Sequence, residues 1–295
     1  MLDVIPITEV NEFGIPNSSG VVVDGLWKNG LRYQPDVTGT TLVGTRSGLT
    51  ISGTALVGSF FRLLTPSGPY RLHIRGVAKT VRYWLGPTTT IESYDLQYTR
   101  PGEFIDRPLC AYPPPRAAGD GNVWIEPTHS ILFAGDRYDQ NWKIIASTAA
   151  EAGDWFNIGC AGEEVTKVLL NRHATAGTYG PWATTKAQRQ DLLRMYLGDL
   201  CGTGRSFTEP NTELRWGISN GWRSLTGYST YEAVWAGGRA ICLNTSRLQD
   251  TQPTIRSEID EECVAAGVGV LPPCESLPGF PGAWAGLGNV ISGNP

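Results

Sequence analysis

The sequence predicts an α+β chain, mostly β, with antiparallel sheets and one pair of helices. Three observations carry this. Tyr70-Arg71-Leu72-His73-Ile74-Arg75 and parts of the run from Ile91 to Thr99 alternate with period two, the mark of half-buried strands. The strand-like segments precede two helix-like segments instead of alternating with them, which disfavours a doubly wound parallel sheet. The chain holds 36 Gly and 20 Pro, and its 10 Trp and 11 Tyr stand against only 2 Met, a balance suited to turns and aromatic packing.

Taken in order, residues 1–36 read as an N-terminal arm. Its one clear strand is Val21-Val22-Val23, set among Pro6, Gly14, Pro16 and Gly20. Such an arm packs as a terminus, pairs with its own sheet, or pairs with a neighbouring molecule. Residues 37–67 have a five-residue period, with Leu42, Ile51, Leu56 and Phe61 in the middle positions and Gly44, Gly48, Gly53 and Gly58 closing the units. Two readings fit equally: a short pentapeptide-like coil, which one turn could not stabilise alone, or ordinary strands with glycine turns.

Residues 68–248 read as one α+β domain. Further strands are expected in parts of Thr80 to Leu85, at Val123-Trp124-Ile125, Ile131-Leu132-Phe133, Trp142 to Ile145 and Trp155 to Ile158, with a long loop around Pro113-Pro114-Pro115. Two helices follow. The first, about 162–173, places Val165, Val168 and Leu169 on one face; the second, about 186–197, does the same with Leu192, Met195 and Tyr196. Thr185 and Gln188 form a capping-box signature, and Gly198 suits a left-handed helix end. Short strands near 214–217, 231–235 and 239–243 come next, then a helix at 255–265. Residues 249–295 read as an extension, Gly- and Pro-rich from Gly267 and without regular structure.

The formal charge is −4, with no basic footprint, so nucleic acid is not an expected partner. No apolar run approaches the ~20 residues of a membrane helix. Met1-Leu2-Asp3-Val4 lacks the basic start and apolar stretch of a signal peptide. Six cysteines without a Cys-x-x-Cys pair favour disulfides over zinc. The expectation is a secreted or envelope protein in mature form; a cytosolic protein is the alternative. No cofactor or metal is expected, because the three histidines are scattered over a hundred residues.

One stretch carries a resemblance. After Phe156 and Cys160 come Thr166-Lys167-Val168, Pro181-Trp182, Gln190, Leu192 and Arg194-Met195. Then follows Gly198-Asp199-Leu200-Cys201-Gly202-Thr203-Gly204-Arg205-Ser206-Phe207-Thr208, and later Glu232-Ala233-x-Trp235 and Cys242. From about Gly39 to Cys242 the order and spacing resemble the ADYC-domain family of bacterial envelope or secreted proteins. The chain departs from that family's signature at Gly198, Leu200 and Phe207, which stand where the family has Ala, Tyr and His. The resemblance implies a fold and a compartment, not an activity. It also implies a disulfide pairing. The family has cysteines where this chain has Val168 and Leu192, so these two positions should face each other in an antiparallel hairpin. Extending that register brings Cys160 beside Cys201. Cys263 and Cys274, close in sequence and outside the match, would then pair, leaving Cys110 with Cys242.

The candidate catalytic residues are Asp199, Glu232 and His173. Asp199 and Ser206 flank Cys201 in a Gly-rich loop, where they line a pocket or tie a turn. Phe207, in place of the family's histidine, removes the obvious general base. Glu232 lies in an apolar strand; pointing inward it needs a partner, which Lys167 or an arginine such as Arg205 could supply. His173 sits near a helix end, where a capping or surface role fits a cation. Gly217-Ile218-Ser219-Asn220-Gly221 matches a nucleophile elbow in letters only, because no histidine follows it and no helix opens after it. The leading expectation is a disulfide-stabilised structural or binding protein, with a protein partner or self-association through its arms. The alternatives are an extracellular hydrolase acting on glycan or peptide, and a carbohydrate-binding module using exposed Trp.

Overall fold

The computed structural model describes residues 9–83, 90–110, 129–147, 153–160, 162–173, 184–209, 212–221 and 223–295. The expected strand at Val123-Trp124-Ile125, the long loop around Pro113-Pro114-Pro115 and the Pro181-Trp182 pair lie outside them. The chain divides into two compact units, one of residues 1–140 and 144–176, the other of 141–143 and 177–295.

The first unit is built on strands β1 (Glu9–Asn11), β2 (Val22–Lys28), β3 (Leu31–Thr38), β4 (Thr41–Arg46), β5 (Leu49–Ser52), β6 (Phe60–Thr65), β7 (Gly68–Arg82), β8 (Thr90–Thr99), β9 (Arg107–Pro108), β10 (His129–Ala134), β11 (Arg137–Tyr138), β12 (Ile144–Ala146) and β13 (Trp155–Cys160), followed by helix α1 (Glu164–Leu170). One antiparallel sheet runs β1-β13-β10-β8-β7-β6-β2-β3-β4-β5, with β9 beside β8; β11 and β12 pair separately. The sheet curls on itself. Leu42 N of β4 donates to Tyr94 Oη of β8 at 2.8 Å, and Ala134 N donates to Gly39 O at 2.9 Å. Leu26, Leu42, Phe61, Leu72, Tyr94, Leu96 and Phe156 fill the interior.

The alternation at 70–75 and 91–99 is realised in β7 and β8. The five-residue period is realised as the antiparallel strands β3, β4 and β5 with glycine turns, not as a coil. Gly44 is required by space rather than by turn geometry: a Cβ there would stand 2.9 Å from Leu26 Cδ2 and 3.0 Å from Ile51 Cγ1. Of the roles open to the N-terminal arm, pairing with its own sheet is the one observed, because β1 adds to β13 and β2 lies between β3 and β6.

Just past β1, Glu12 accepts Val37 N at 2.8 Å. Burial pushes its carboxyl from 4.5 up to about 7. The Val37 bond opposes that shift; Asp36 and Asp154 add to it. A folded value above the unfolded one means that this contribution to stability is complete below about pH 4.5 and is lost as pH rises through about 7. Glu12→Gln should therefore flatten the pH dependence. Between about pH 5 and 8 the melting temperature of the parent protein should fall relative to the variant. Parallel melting curves for the two proteins would refute this.

The second unit holds α2 (Lys186–Leu197), β14 (Arg215–Ile218), β15 (Thr230–Ala236), β16 (Arg239–Leu243), α3 (Ile255–Ala265) and β17 (Val290–Asn294). Its sheet runs β14-β17-β15-β16, all antiparallel. The C-terminal stretch expected to lack regular structure thus supplies an interior strand. The α2 capping box forms as expected, with Gln188 N to Thr185 Oγ1 at 3.2 Å and Thr185 N to Gln188 Oε1 at 2.9 Å. Gly198 ends the helix at φ +63°. Asp191 ties α2 to the sheet, accepting Gly238 N at 2.6 Å and Asn289 Nδ2 at 2.7 Å.

All six cysteines are bonded, but the expected pairing is wrong at each bridge. The disulfides are Cys110–Cys160, Cys201–Cys263 and Cys242–Cys274. The helices expected to form a disulfide-closed hairpin belong to different units, so the register extended from Val168 and Leu192 does not apply. Cys160 ends β13 opposite Ser130, and Cys110 Sγ lies 3.0 Å from Ser130 Oγ. Cys263 is on the buried stripe of α3 with Ile255 and Ile259. Cys274 is held beside β16 by Asn244, whose Oδ1 accepts Cys274 N at 2.6 Å.

Candidate functional site

The Asp199 loop is a closed knot. Leaving α2 through Gly198, the chain turns so that the Asp199 carboxylate accepts Thr203 N at 3.0 Å and Gly204 N at 2.8 Å, with the Arg194 guanidinium on its other side. Asp199 is wholly buried. Burial raises its carboxyl above the ordinary carboxylate value, against the pull of Arg194 and the two amides. Ser206 Oγ donates to Leu197 O at 2.7 Å, and Phe207 N to Gly198 O at 3.2 Å. Phe207 is buried under the Arg205 guanidinium, 4.7 Å from the ring centroid. Aspartate is needed here because one short carboxylate can satisfy two successive backbone donors of a tight turn. The structure brings Asp199 and Ser206 together as turn ties, not around a cleft.

Glu232 is the centre of a second buried network. Arg247 grips it in fork geometry, Nε to Oε1 at 2.7 Å and Nη2 to Oε2 at 2.6 Å. Arg247 N adds a bond to Oε1 at 3.1 Å, and Ser292 Oγ donates to Oε2 at 2.8 Å while accepting Trp235 Nε1 at 2.9 Å. Neither expected partner is used: Lys167 pairs with Glu164, and Arg205 with Glu258 and Glu262. Sequence reasoning missed Arg247, although a signal existed. The Gly237-Gly238 turn makes β15 and β16 a hairpin, which sets Glu232 beside the residues that follow Leu243.

His173 is wholly buried rather than at the surface, and its backbone N closes the end of α1 on Val168 O at 2.8 Å. His129 Nδ1 is 3.0 Å from Ser93 Oγ. Ser219 of the elbow-like string accepts Gln188 Nε2 at 3.2 Å, and Gly221 N returns to Ile218 O, a plain turn at the end of β14. Among the described residues no three His, Cys, Asp or Glu side chains converge as a metal-binding group.

The second unit also has an open depression of about 510 Å³, bordered by Tyr231, Asn244, Thr245, Arg256 and Glu275. Arg256 is spent on Asp260 and on the carbonyls of Leu243 and Leu271. Glu275 accepts Asn244 Nδ2 at 2.7 Å. One exposed carboxylate beside a committed arginine offers polar contacts, but not the paired carboxyls that glycoside hydrolysis ordinarily uses.

The family model of the ADYC domain matches residues 39–249, more than half of the chain. This chain belongs to the ADYC-domain family. No curated protein matches it, and neither does any solved structure. Within this ADYC domain the signature stretch is the Asp199 knot, and its aspartate and cysteine both have structural work: one ties the turn, the other bonds Cys263, beyond the matched residues. Where the family's histidine would stand, the ADYC domain here has a buried phenylalanine.

Proposed function

We propose that this protein is a disulfide-stabilised structural or binding protein of the bacterial cell envelope or exterior, contributing to a surface assembly rather than catalysing a reaction. The observation that carries the reading is the condition of Asp199 and Glu232. Both carboxylates are buried and committed to arginines and amides of their own chain. A general acid or nucleophile has to reach its substrate, and these do not. Three disulfides fit an oxidising compartment, and no described helix is long and apolar enough to cross a membrane.

The test is to produce the protein in an oxidising compartment, measure its oligomeric state by sedimentation, identify what cross-links to it on the cell surface, and screen it against glycan and peptide substrates. Assembly or a stable surface partner without turnover is the expected result. Hydrolysis abolished by Glu232→Gln in a protein that keeps its circular dichroism would overturn the proposal.

A further inference from the structure

The outer face of the curled sheet carries one continuous row of side chains over five neighbouring strands. Residues directly opposite in antiparallel strands project to the same side. Arg32 of β3 faces Trp27 of β2; Trp27 faces Phe60 of β6; Phe60 faces His73 of β7; His73 faces Gln97 of β8. Phe61 is in the core, so Phe60 and its row point outward. The Phe60 and His73 rings are 5.4 Å apart. With strands about 4.8 Å apart, the three rings from Trp27 to His73 span about 10 Å of surface.

Arginines surround this row. Arg62 and Arg71 stand directly opposite each other across β6 and β7, and the Arg71 guanidinium lies 5.3 Å over the Phe60 ring. Arg75 is two residues beyond His73. The side chains of Arg32, Arg62 and Arg75 keep 44%, 46% and 41% of their exposure, and Arg71 is exposed too. Asp24 answers Arg32 and Arg62, at 3.7 and 3.2 Å, and Asp106 answers Arg75. Arg71 has no carboxylate partner among the described residues. The four arginines around the row have two ion-paired carboxylates between them, Asp24 and Asp106, in a chain of formal charge −4. Like charges directly opposite in a sheet are unfavourable, so the Arg62–Arg71 pair is a cost that an anionic ligand would relieve.

We propose that this face binds an acidic polysaccharide. The half-buried rings of Trp27, Phe60 and His73 offer planar surfaces for sugar faces, and a guanidinium matches a carboxylate as a two-pronged donor. The same groups could take single-stranded nucleic acid, since bases also stack on rings. The disulfides argue for an oxidising compartment, away from cellular nucleic acid. A lipid surface is disfavoured because Trp27, Phe60 and His73 are half-buried and none of them is among the exposed large apolar side chains. This assignment rests on the extracytoplasmic binding role above and names a ligand class for it.

The experiment is affinity electrophoresis and titration calorimetry of the full chain with alginate, neutral dextran and an oligothymidylate, at low and high salt. Alginate should bind at low salt and weaken as salt screens the charges, while dextran and the oligonucleotide should bind weakly or not at all. Arg62→Gln with Arg71→Gln should lower alginate affinity about tenfold or more, two charge-assisted contacts being lost. Arg71→Gln alone should keep or raise the melting temperature, because it removes a repulsion. No alginate binding, alginate binding unchanged in the double variant, or equal binding of dextran or the oligonucleotide would each overturn the assignment. Failure here with an intact surface assembly would remove the ligand class and leave the structural role standing.

Discussion

Arg247→Met is expected to destabilise this protein by about 3–5 kcal/mol, the cost of leaving one member of a buried ion pair without its partner. Glu232 is 1% exposed, and the Arg247 side chain 3%. Without the guanidinium the carboxylate keeps only Ser292 Oγ and Arg247 N as donors, too few for a buried charge. The reciprocal change, Glu232→Leu, should be damaging for the same reason. The double variant should recover much of the loss, because replacing both charges with apolar groups of similar volume is often neutral. Urea titrations of the four proteins measure this directly. If both single variants lie within about 1 kcal/mol of the parent, the pair behaves as a solvated surface contact, and its role in fastening the chain after β16 to β15 must be abandoned.

Loss of Cys201–Cys263 should have an effect of similar size. The bridge closes a loop of 62 residues, for which the chain-entropy relation gives about 4 kcal/mol. Cys201→Ser with Cys263→Ser should lower stability by about 2–5 kcal/mol, visible as a lower urea midpoint. Peptide mapping of the unreduced protein should recover Cys110–Cys160, Cys201–Cys263 and Cys242–Cys274. A Cys160–Cys201 peptide would restore the hairpin register and dissolve the division into two units.

The contrast between that register and the observed bridges shows which interactions a sequence makes legible. The α2 capping box and its Gly198 terminus involve residues three to a dozen apart, and both were readable. So were β7 and β8, because alternation reports burial on one face. The bridges depend on which strands become neighbours. Cys160 meets Cys110 because β13 pairs with β10, a choice made by the packing of a whole sheet. In β17 only Val290 and Ile291 are large and apolar, and Ser292, Gly293 and Asn294 follow them. It is a strand because two partners impose it, and Gly293 is required because a Cβ would stand 2.9 Å from Thr230 O. The acidic candidates Asp199 and Glu232 stand out in the sequence as a carboxylate in a Gly-rich loop and one in an apolar strand. Their consequence is internal, since Asp199 and Glu232 hold a turn and a sheet. The arginine and aromatic row escaped notice because its members come from five strands and meet only when the registers are known.

The position of β17 also dictates an order of events during synthesis. A ribosome releases this chain from the N-terminus, so β14, β15 and β16 emerge long before Val290. The β15–β16 hairpin is local and can form at once, and Cys274 can reach Cys242 soon after. But β14 and β15 are never neighbours; each hydrogen-bonds to β17. Until β17 arrives, both present unpaired edges of the kind that recruit other chains. The second unit therefore stays open until β17 emerges and closes by insertion of that strand, which makes the interval before that insertion its period of greatest exposure to aggregation.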